Sequence, residues 1–444
     1  MELLVLSDDF TGALDTGVQF ARQGVHTVVT SKLNLTAEDL GFTNVTVLVI
    51  NTESRHVSNQ EAYRKVKKAV RNLLRLAESG LMNEVSGEGG TRRISFYKKT
   101  DSLLRGNVGI ELKALREAVS SPHLMFVPAF PKTGRTTRGG IQFVGGIPIH
   151  KSSFARDRLN PIPESDVSVI VKRGSPLVRT VTVGTEQIQS RSVSFTERAN
   201  GEPGKEAGTV YIFDAVTDDH LKDAGQVLKE RGLLRVTAGC AGFAGVLPEL
   251  LELPRRILVK PILKAPLLVL CGSLTDLSRK QVEYAARKGF AKKALGIEEK
   301  LLPDLSSTDL GRAIVSDVVN RLNRGQHCII ATAEANRKRE QAFAKSNEID
   351  RNKIPSHIAT NLAGLVHTIL KRIPLSTLVI FGGDTTMALL KTLGIEFLTP
   401  LEEIAPGVPV SVSSERNLCL VTKSGGFGGE DVLIRIMSRL QKQD

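Results

Sequence analysis

The chain contains no tryptophan, and aromatic residues make up only 5% of it. Its four cysteines, Cys240, Cys271, Cys328 and Cys419, stand alone, with no CxxC pair. That pattern excludes a zinc ribbon and a disulfide framework, and isolated thiols suit a reducing cytoplasm. Each lies in or beside an apolar stretch, where cysteine serves as a small hydrophobe. No apolar run approaches the ~20 residues of a membrane span. The segment Met1–Asp9 carries three carboxylates and no basic leader, unlike a signal peptide. The eight histidines form no HExxH or other compact cluster, so no protein-held metal centre is expected. G-x-S-x-G, G-x-x-x-x-G-K-[ST] and G-x-G-x-x-G are also missing. The nearest approach to the phosphate-loop pattern, Gly145 to Ser152, has His150 in place of its second glycine. Gly426-Phe427-Gly428 has Asp431 where the dinucleotide pattern needs its third.

What is present in excess is positive charge. Sixty Lys and Arg stand against 47 Asp and Glu, a net +13. Anionic metabolites and nucleic acid both fit that balance. The basic stretch Asn336-Arg337-Lys338-Arg339, with Lys345, Arg351 and Lys353 beyond it, lacks interleaved aromatics and reads as a solvated helix face.

Length predicts two to three domains, at roughly 100–200 residues each. Short apolar runs alternate with helical periods. Leu3–Leu6, Val45–Ile50, Ile94–Tyr97, Leu124–Val127 and Val210–Phe213 read as buried strands. So do Leu267–Leu270, His327–Ala331, Leu378–Phe381 and Leu418–Val421, with helices at Met387–Thr392 and Asp431–Leu440. Continuous apolar strands between helices imply an α/β architecture with largely parallel sheets. Residues 80–91 and 197–205 read as loops. Pro254, Arg255, Arg256, Pro261 and Lys264 give 253–264 linker character, which predicts a boundary near 255–265 and domains at 1–255 and 256–444.

In parallel sheets, ligands gather at the carboxyl ends of strands. In the first half those ends carry Asp8 and Asp9, Glu53 and Arg55, Lys99 and Asp101, and Asp214. In the second half three strands run into glycine, serine or threonine before a helix: Gly272-Ser273, Gly382-Gly383-Asp384-Thr385-Thr386, and Lys423-Ser424-Gly425-Gly426-Phe427-Gly428-Gly429. Glycine lets backbone approach a phosphate, and the helix that follows offers unpaired amides and a positive dipole end. These features alone describe a two-domain α/β protein for phosphorylated ligands.

The motifs in order are more specific. Leu6-Ser7-Asp8-Asp9-Phe10-Thr11-Gly12-Ala13 with Asp15 is followed by Asn51-Thr52-Glu53-Ser54-Arg55-His56. Lys98-Lys99-Thr100-Asp101-Ser102-Leu103-Leu104-Arg105-Gly106-Asn107 comes next, then Pro128-Ala129-Phe130-Pro131-Lys132-Thr133-Gly134-Arg135. Phe154-Ala155-Arg156-Asp157, Asn160-Pro161 and Glu164-Ser165 continue the series. The glycine junctions and Pro406-Gly407 complete it. Together they closely resemble the four-carbon acid sugar kinases, the D-threonate, D-erythronate and 3-oxo-tetronate kinases, over about residues 3 to 435. Three positions depart from the family pattern. Asn51 stands for a usual Asp, Asp384 for a usual Glu and Gly426 for a usual Asn. Asn51 removes a carboxylate near the implied sugar site and so bears on which acid fits.

The resemblance implies transfer of the γ-phosphoryl of ATP, with Mg²⁺, to a hydroxyl of a short sugar acid. It implies two α/β domains with a ligand cleft between them. Asp8, Asp9, Arg55, Lys99, Thr100, Asp101, Ser102 and Arg105 would bind the acid. Arg55 and Arg105 would grip its carboxylate. Lys99 would offset charge on the transferring group, and Asp9 or Asp101 would take the hydroxyl proton. Ser273, Gly382, Gly383, Asp384, Thr385, Gly407, Lys423, Gly425, Gly426, Phe427 and Gly428 would line the ATP site. Neither nucleic acid nor a membrane is an expected partner, and a homodimer is compatible. Two rivals keep their own tests: a dinucleotide-binding dehydrogenase would perturb NADH fluorescence, and a nucleic-acid binder would show steep salt dependence.

Overall fold

A computed structural model describes residues 1–41, 45–79, 86–87, 90–91, 94–156, 161–195, 208–257, 260–273, 275–332, 337–350 and 353–440. The chain divides into two compact units, Met1–Leu258 and Val259–Asp444.

The first unit is built on eight strands: β1 (Leu3–Ser7), β2 (Thr27–Thr30), β3 (Val47–Asn51), β4 (Ser95–Lys99), β5 (His123–Val127), β6 (Arg179–Val183), β7 (Thr209–Phe213) and β8 (Val236–Gly239). They lie in the order β6-β7-β5-β8-β4-β1-β3-β2, and every pairing is parallel. The central strands are continuous apolar runs, such as Leu-Leu-Val-Leu in β1, and are buried along their whole length. A parallel sheet demands this, because helices cover both of its faces. Three helices flank the strand ends that matter below: α1 (Phe10–Ala21), α2 (Asn59–Glu78) and α3 (Val108–Ala118). Helix α2 shows how the sequence sets its faces. Ser58 caps it by accepting from the Glu61 amide, and Ala62, Val66, Ala69, Val70 and Leu73 turn inward.

The second unit carries β9 (Leu268–Cys271), β10 (Ala291–Leu295), β11 (Cys328–Thr332), β12 (Thr377–Phe381), β13 (Phe397–Ala405), β14 (Val408–Ser413) and β15 (Leu418–Lys423). Their order is β13-β14-β15-β12-β9-β11-β10. The run from β15 to β10 is parallel, while β13 and β14 join antiparallel. Helices α4 (Asp276–Arg287) and α5 (Gly383–Leu393) follow β9 and β12.

The structure departs from the sequence reading at several edges. The strand expected at Ile94–Tyr97 runs to Lys99, so both lysines belong to it. The helix expected from Met387 begins at Gly383, and the one expected over Asp431–Leu440 covers only Val432–Met437. Strands β2, β6, β8, β10, β13 and β14 were not anticipated. Most are four to six residues long, and β10 reads Ala-Lys-Lys-Ala-Leu because it is an edge strand, where lysine discourages further pairing. Within the expected loop at 80–91, residues 86–87 pair with 90–91 as a short ribbon. The rest of that loop, the loop at 197–205, Asp157, Asn160, Asn336 and Arg351 lie outside the described residues. Arg337–Ser346 is helical, as the solvated-face reading requires.

Candidate active site

Ser7 at the end of β1 stands in register with Asn51 of β3 on one side and Lys99 of β4 on the other. Three strand ends therefore deliver Asp8-Asp9, Thr52–Arg55 and Thr100–Arg105 to one place. The Arg55 guanidinium sits among three carboxylates. Its Nε donates to Asp8 Oδ2 at 2.6 Å and its Nη2 to Asp9 Oδ1 at 2.7 Å, and Asp101 Oδ1 lies 3.8 Å from Nη2. Arg105 forks onto Asp101, Nε to Oδ2 at 2.7 Å and Nη2 to Oδ1 at 3.0 Å. The two arginines are thus engaged with the protein's own carboxylates.

The electrostatics follow from that packing. Burial alone would raise the Asp101 carboxyl, but Arg105 and Arg55 outweigh it and hold it well below the ordinary range. Asp8 behaves likewise, burial opposing and Arg55 and Lys98 prevailing. Burial also works against the Arg55 charge, yet Asp8, Asp9 and Asp101 hold it well above its usual value.

Asp9 has two jobs. It caps α1, its Oδ1 accepting from the Gly12 amide at 3.0 Å and its Oδ2 from Thr11 Oγ1 at 2.6 Å, and it pairs with Arg55. Its side chain is 21% exposed, against 2% for Asp8 and 10% for Asp101. Of the three, Asp9 is the one a ligand reaches most easily. Lys99 is buried beside it. A Cβ on Gly12 would stand 2.4 Å from Asp9 Oδ1 and 2.7 Å from Lys99 Nζ, so only glycine leaves room for both. Among the described residues the Lys99 ammonium has no hydrogen-bonding partner. Gly12→Ala should therefore fold but displace Asp9 or Lys99. If this is the reacting centre, kcat/KM should fall by about 10²-fold, the scale of a small misplacement. Steady-state kinetics with a melting curve on the same sample checks this.

Thr100 and Ser102 serve mainly through backbone. The Thr100 amide donates to the Gly239 carbonyl at 2.7 Å, and the Ser102 carbonyl accepts from Gln142 Nε2 at 3.0 Å. Asn51 holds its turn by accepting from the Glu53 amide at 3.1 Å and donating to Ser31 Oγ at 3.0 Å. A carboxylate could keep the second contact only by accepting from the Ser31 hydroxyl, and it would add a negative charge. Asp214 accepts from the Gly139 and Gly140 amides and fixes a hairpin turn.

Four contributors escaped the sequence reading. Lys98 and Glu111 form a fully buried pair at 3.0 Å behind Asp8, with Lys98 Nζ also on the Leu6 and Lys99 carbonyls. Asn107 Nδ2 ties the Arg55 segment down through the carbonyls of Ser54 and Val57. The Arg135 guanidinium is mostly buried, which lowers it, and it feels the opposing charge of Asp101. Arg135 and Asn107 lay inside motifs already noted, so a signal existed. Nothing in the sequence distinguished Lys98 from Lys99.

In the second unit the three glycine junctions meet. The Gly272 amide donates to the Phe381 carbonyl and the Gly382 amide to the Lys423 carbonyl. A Cβ on Gly272 would strike Thr385 Oγ1 at 2.1 Å, and one on Gly425 would press on Thr275 and Ser273. Gly382 holds φ +111° and precedes α5 with no side chain to cap it, leaving that helix's first amides without an intrahelical partner. Gly407, at φ +73°, packs beneath the Phe427 ring. Thr385 is buried, Thr386 donates to the Gly382 carbonyl at 2.9 Å, and Asp384 is exposed. Lys423 is buried under its own loop rather than open to a ligand. Thr275, Ser278 and Gln281, not anticipated, complete the arrangement. Thr275 Oγ1 donates to the Gly425 carbonyl at 2.9 Å, and Ser278 Oγ to Ser273 Oγ at 3.0 Å.

The described residues contain no group of three or more His, Cys, Asp or Glu set to hold a metal, and no helix long and apolar enough to cross a membrane.

Residues 3–247 match the family model of a sugar-binding N-terminal domain, and residues 268–433 that of a nucleotide-binding C-terminal domain. The chain is 28% identical to a D-threonate kinase of Salmonella typhimurium, over 98% of this chain and 97% of that one. The chain belongs to the four-carbon acid sugar kinase family. A D-erythronate kinase of Heliobacterium modesticaldum is 29% identical over 91% of this chain and 88% of its own. A 3-oxo-tetronate kinase of Methylobacterium radiotolerans is 26% identical over 98% of each. A Salmonella typhimurium protein of known structure shares the fold at TM-score 0.76 and 22% identity, covering 99% of this chain and 100% of that one. A Haemophilus influenzae protein does so at 0.67 and 20%, covering 98% and 99%.

Proposed function

We propose that this family member transfers a phosphoryl group from ATP to a hydroxyl of a four-carbon sugar acid of the threonate, erythronate or 3-oxo-tetronate type. Residues 1–255 bind the acid and residues 256–444 the nucleotide. The observation that carries the acid site is Lys99: a lysine buried beside three carboxylates, Asp8, Asp9 and Asp101, for which Arg55 and Arg105 supply only two counter-charges, and whose ammonium donates no hydrogen bond to any described residue. Such a cation completes the charge balance of the cluster and keeps its N–H donors for an incoming anion, whereas the carboxylates can accept from its hydroxyls.

The roles then divide by exposure. Asp9, the most open of the three carboxylates, accepts the proton of the attacking hydroxyl at its Oδ atoms. Asp101 keeps Arg105 and Arg55 in place, and Asp8 holds the far side of Arg55. Thr100 and Ser102 shape the turn that carries Asp101. Phosphoryl transfer asks for positioning and charge neutralisation more than for covalent help, and these residues supply both.

The glycine junctions fit a polyphosphate. We assign Ser273, Gly382, Gly383, Asp384, Thr385, Gly407 and the loop Lys423–Gly428 to its site, and the loop leaves space there, since a Cβ on Gly426 would meet nothing within 4 Å. ATP supplies the phosphoryl group and Mg²⁺ neutralises charge on its phosphates. Magnesium commonly takes one or two carboxylates and completes its shell with phosphate oxygens and water, so it needs no protein cage. Asp384, exposed in the first turn of α5, is a carboxylate available to it.

The test is ADP release against a panel of D- and L-threonate, D- and L-erythronate and the 3-oxo-tetronates, with and without magnesium. One acid should stand out, and only with ATP and the metal present. ADP release that ignores every acid on the panel would overturn the reading.

A further inference from the structure

The loop after β15 is shaped from inside the fold. Lys423 Nζ faces the carbonyls of Ser424, Gly425 and Phe427 at 3.1, 3.2 and 3.3 Å, and Ser278 Oγ at 3.2 Å. It lies 4.5 Å from the centroid of the Phe381 ring. From α4, Gln281 Nε2 faces the carbonyls of Phe427, Gly428 and Gly429 at 3.1, 3.3 and 2.9 Å. Both side chains are almost wholly buried, and Gln281 Oε1 accepts nothing from the described residues. Two donors on different elements therefore gather carbonyls from five of the six residues 424–429.

A peptide is planar, with its N–H opposite its C=O. Carbonyls drawn inward turn the corresponding amides outward. The amides of Gly425, Gly426 and Gly428 donate to no described residue. Successive outward amides form a concavity that binds anions. The Lys423 charge lies directly beneath it, with no carboxylate partner among the described residues and little solvent to screen it.

We infer that Lys423 and Gln281 are positioning residues for the nucleotide phosphates: they tie the loop's carbonyls inward so that its amides face the polyphosphate, and neither touches the ligand. This rests on the nucleotide reading of the second unit. It also separates Lys423 from the lysines that grip phosphate as an exposed point charge. Burial pushes its ammonium down to about 8, with only the Cys271 thiol opposing, so the side chain is still charged at neutral pH.

The experiment compares the full chain with Lys423→Met and Gln281→Leu, measuring binding of ATP, inorganic tripolyphosphate and adenosine by calorimetry, KM for both substrates, and melting. Both variants should lose at least tenfold in affinity for ATP and tripolyphosphate alike. Adenosine affinity and KM for the acid should be unchanged. A role confined to holding the fold would lower adenosine affinity as well, and that result would overturn the inference. So would variants that bind tripolyphosphate as well as the wild type does. Should Lys423→Met fail to fold, Gln281→Leu decides alone, because it leaves the buried cation in place. A wild-type protein that binds neither ATP nor tripolyphosphate would instead remove the nucleotide reading itself.

Discussion

Asp9→Asn should cut kcat/KM for the acid by about 10² or more while leaving the fold intact. The reason is that asparagine caps helices as well as aspartate does. Its carbonyl oxygen can still accept from the Gly12 amide or Arg55, so the start of α1 and the Arg55 side chain keep their places. What disappears is the charge and the basicity of the most exposed carboxylate in the cluster. Asp101→Asn should lose activity on the same scale but for a different reason, and with a fall in stability. Its two oxygens both accept from Arg105, with the Leu103 and Arg105 amides adding to Oδ2. An amide cannot accept at both ends of that fork. One of its ends would face a guanidinium, and breaking a buried pair typically costs about 3–5 kcal/mol. The two variants are thus distinguishable. If Asp9 takes the proton, its loss falls on kcat; if Asp101 orders the binding arginines, its loss falls largely on KM for the acid. KM for ATP should hardly move in either. Near-normal kcat and KM for both, on the best acid of the panel, would show that the acid binds elsewhere.

How far the sequence spoke for itself depended on geometry it could or could not encode. Fully apolar runs such as Leu-Leu-Val-Leu and Val-Leu-Val-Ile announce buried parallel strands, and parallel strands bring their carboxyl ends together. Asp8, Arg55 and Asp101 were therefore legible as neighbours from the sequence alone. The direction of the arginines was not. Arg55 and Arg105 read as clamps for a substrate carboxylate, yet their forks are occupied by Asp8, Asp9 and Asp101, because the turns after β1, β3 and β4 are close enough for ion pairs. Lys98 and Lys99 show a second limit. Adjacent strand residues point to opposite faces, so one lysine reaches the site beside α1 and the other is buried against Glu111 of α3. Without the strand's register they look equivalent. In the second unit the glycine junctions were legible because strand, glycine and helix follow each other locally. The hairpin β13–β14 was not, since Pro400 and the glutamates of Phe397–Ala405 obscure a strand that bulges. Gln281 could not have been found at all. It acts on residues almost 150 positions away, at the other end of the unit.

The nucleotide site makes the other large prediction, through Gly382. Its φ of +111° is a conformation side chains rarely adopt, and it sets the first turn of α5 against Ser273 and the Lys423 loop. Alanine there would meet no hard clash, since its Cβ would lie 3.5 Å from Thr385 Oγ1 and 3.6 Å from the Ser273 amide nitrogen. It would instead strain the backbone by roughly 1–3 kcal/mol. Relaxing that strain turns the peptide and swings the first amides of α5. The added methyl also stands over the Ser273 amide, at a residue assigned to the nucleotide site. Gly382→Ala should therefore raise KM for ATP on the order of tenfold to a hundredfold, about the worth of one hydrogen bond to a charged group. Its KM for the acid should stay near normal. Strain alone predicts only a lower melting temperature, and the same helix supplies the control. Gly394 ends α5 at φ +66°, with no atom closer than 4.0 Å to the position of an added Cβ. Gly394→Ala should lose comparable stability, roughly 1–2 kcal/mol for a left-handed residue, and leave ATP kinetics unchanged. Equal ATP kinetics in the two variants would mean that the glycine junctions serve the fold and not the nucleotide. A rise in KM confined to Gly382→Ala would place the phosphates at the amino end of α5.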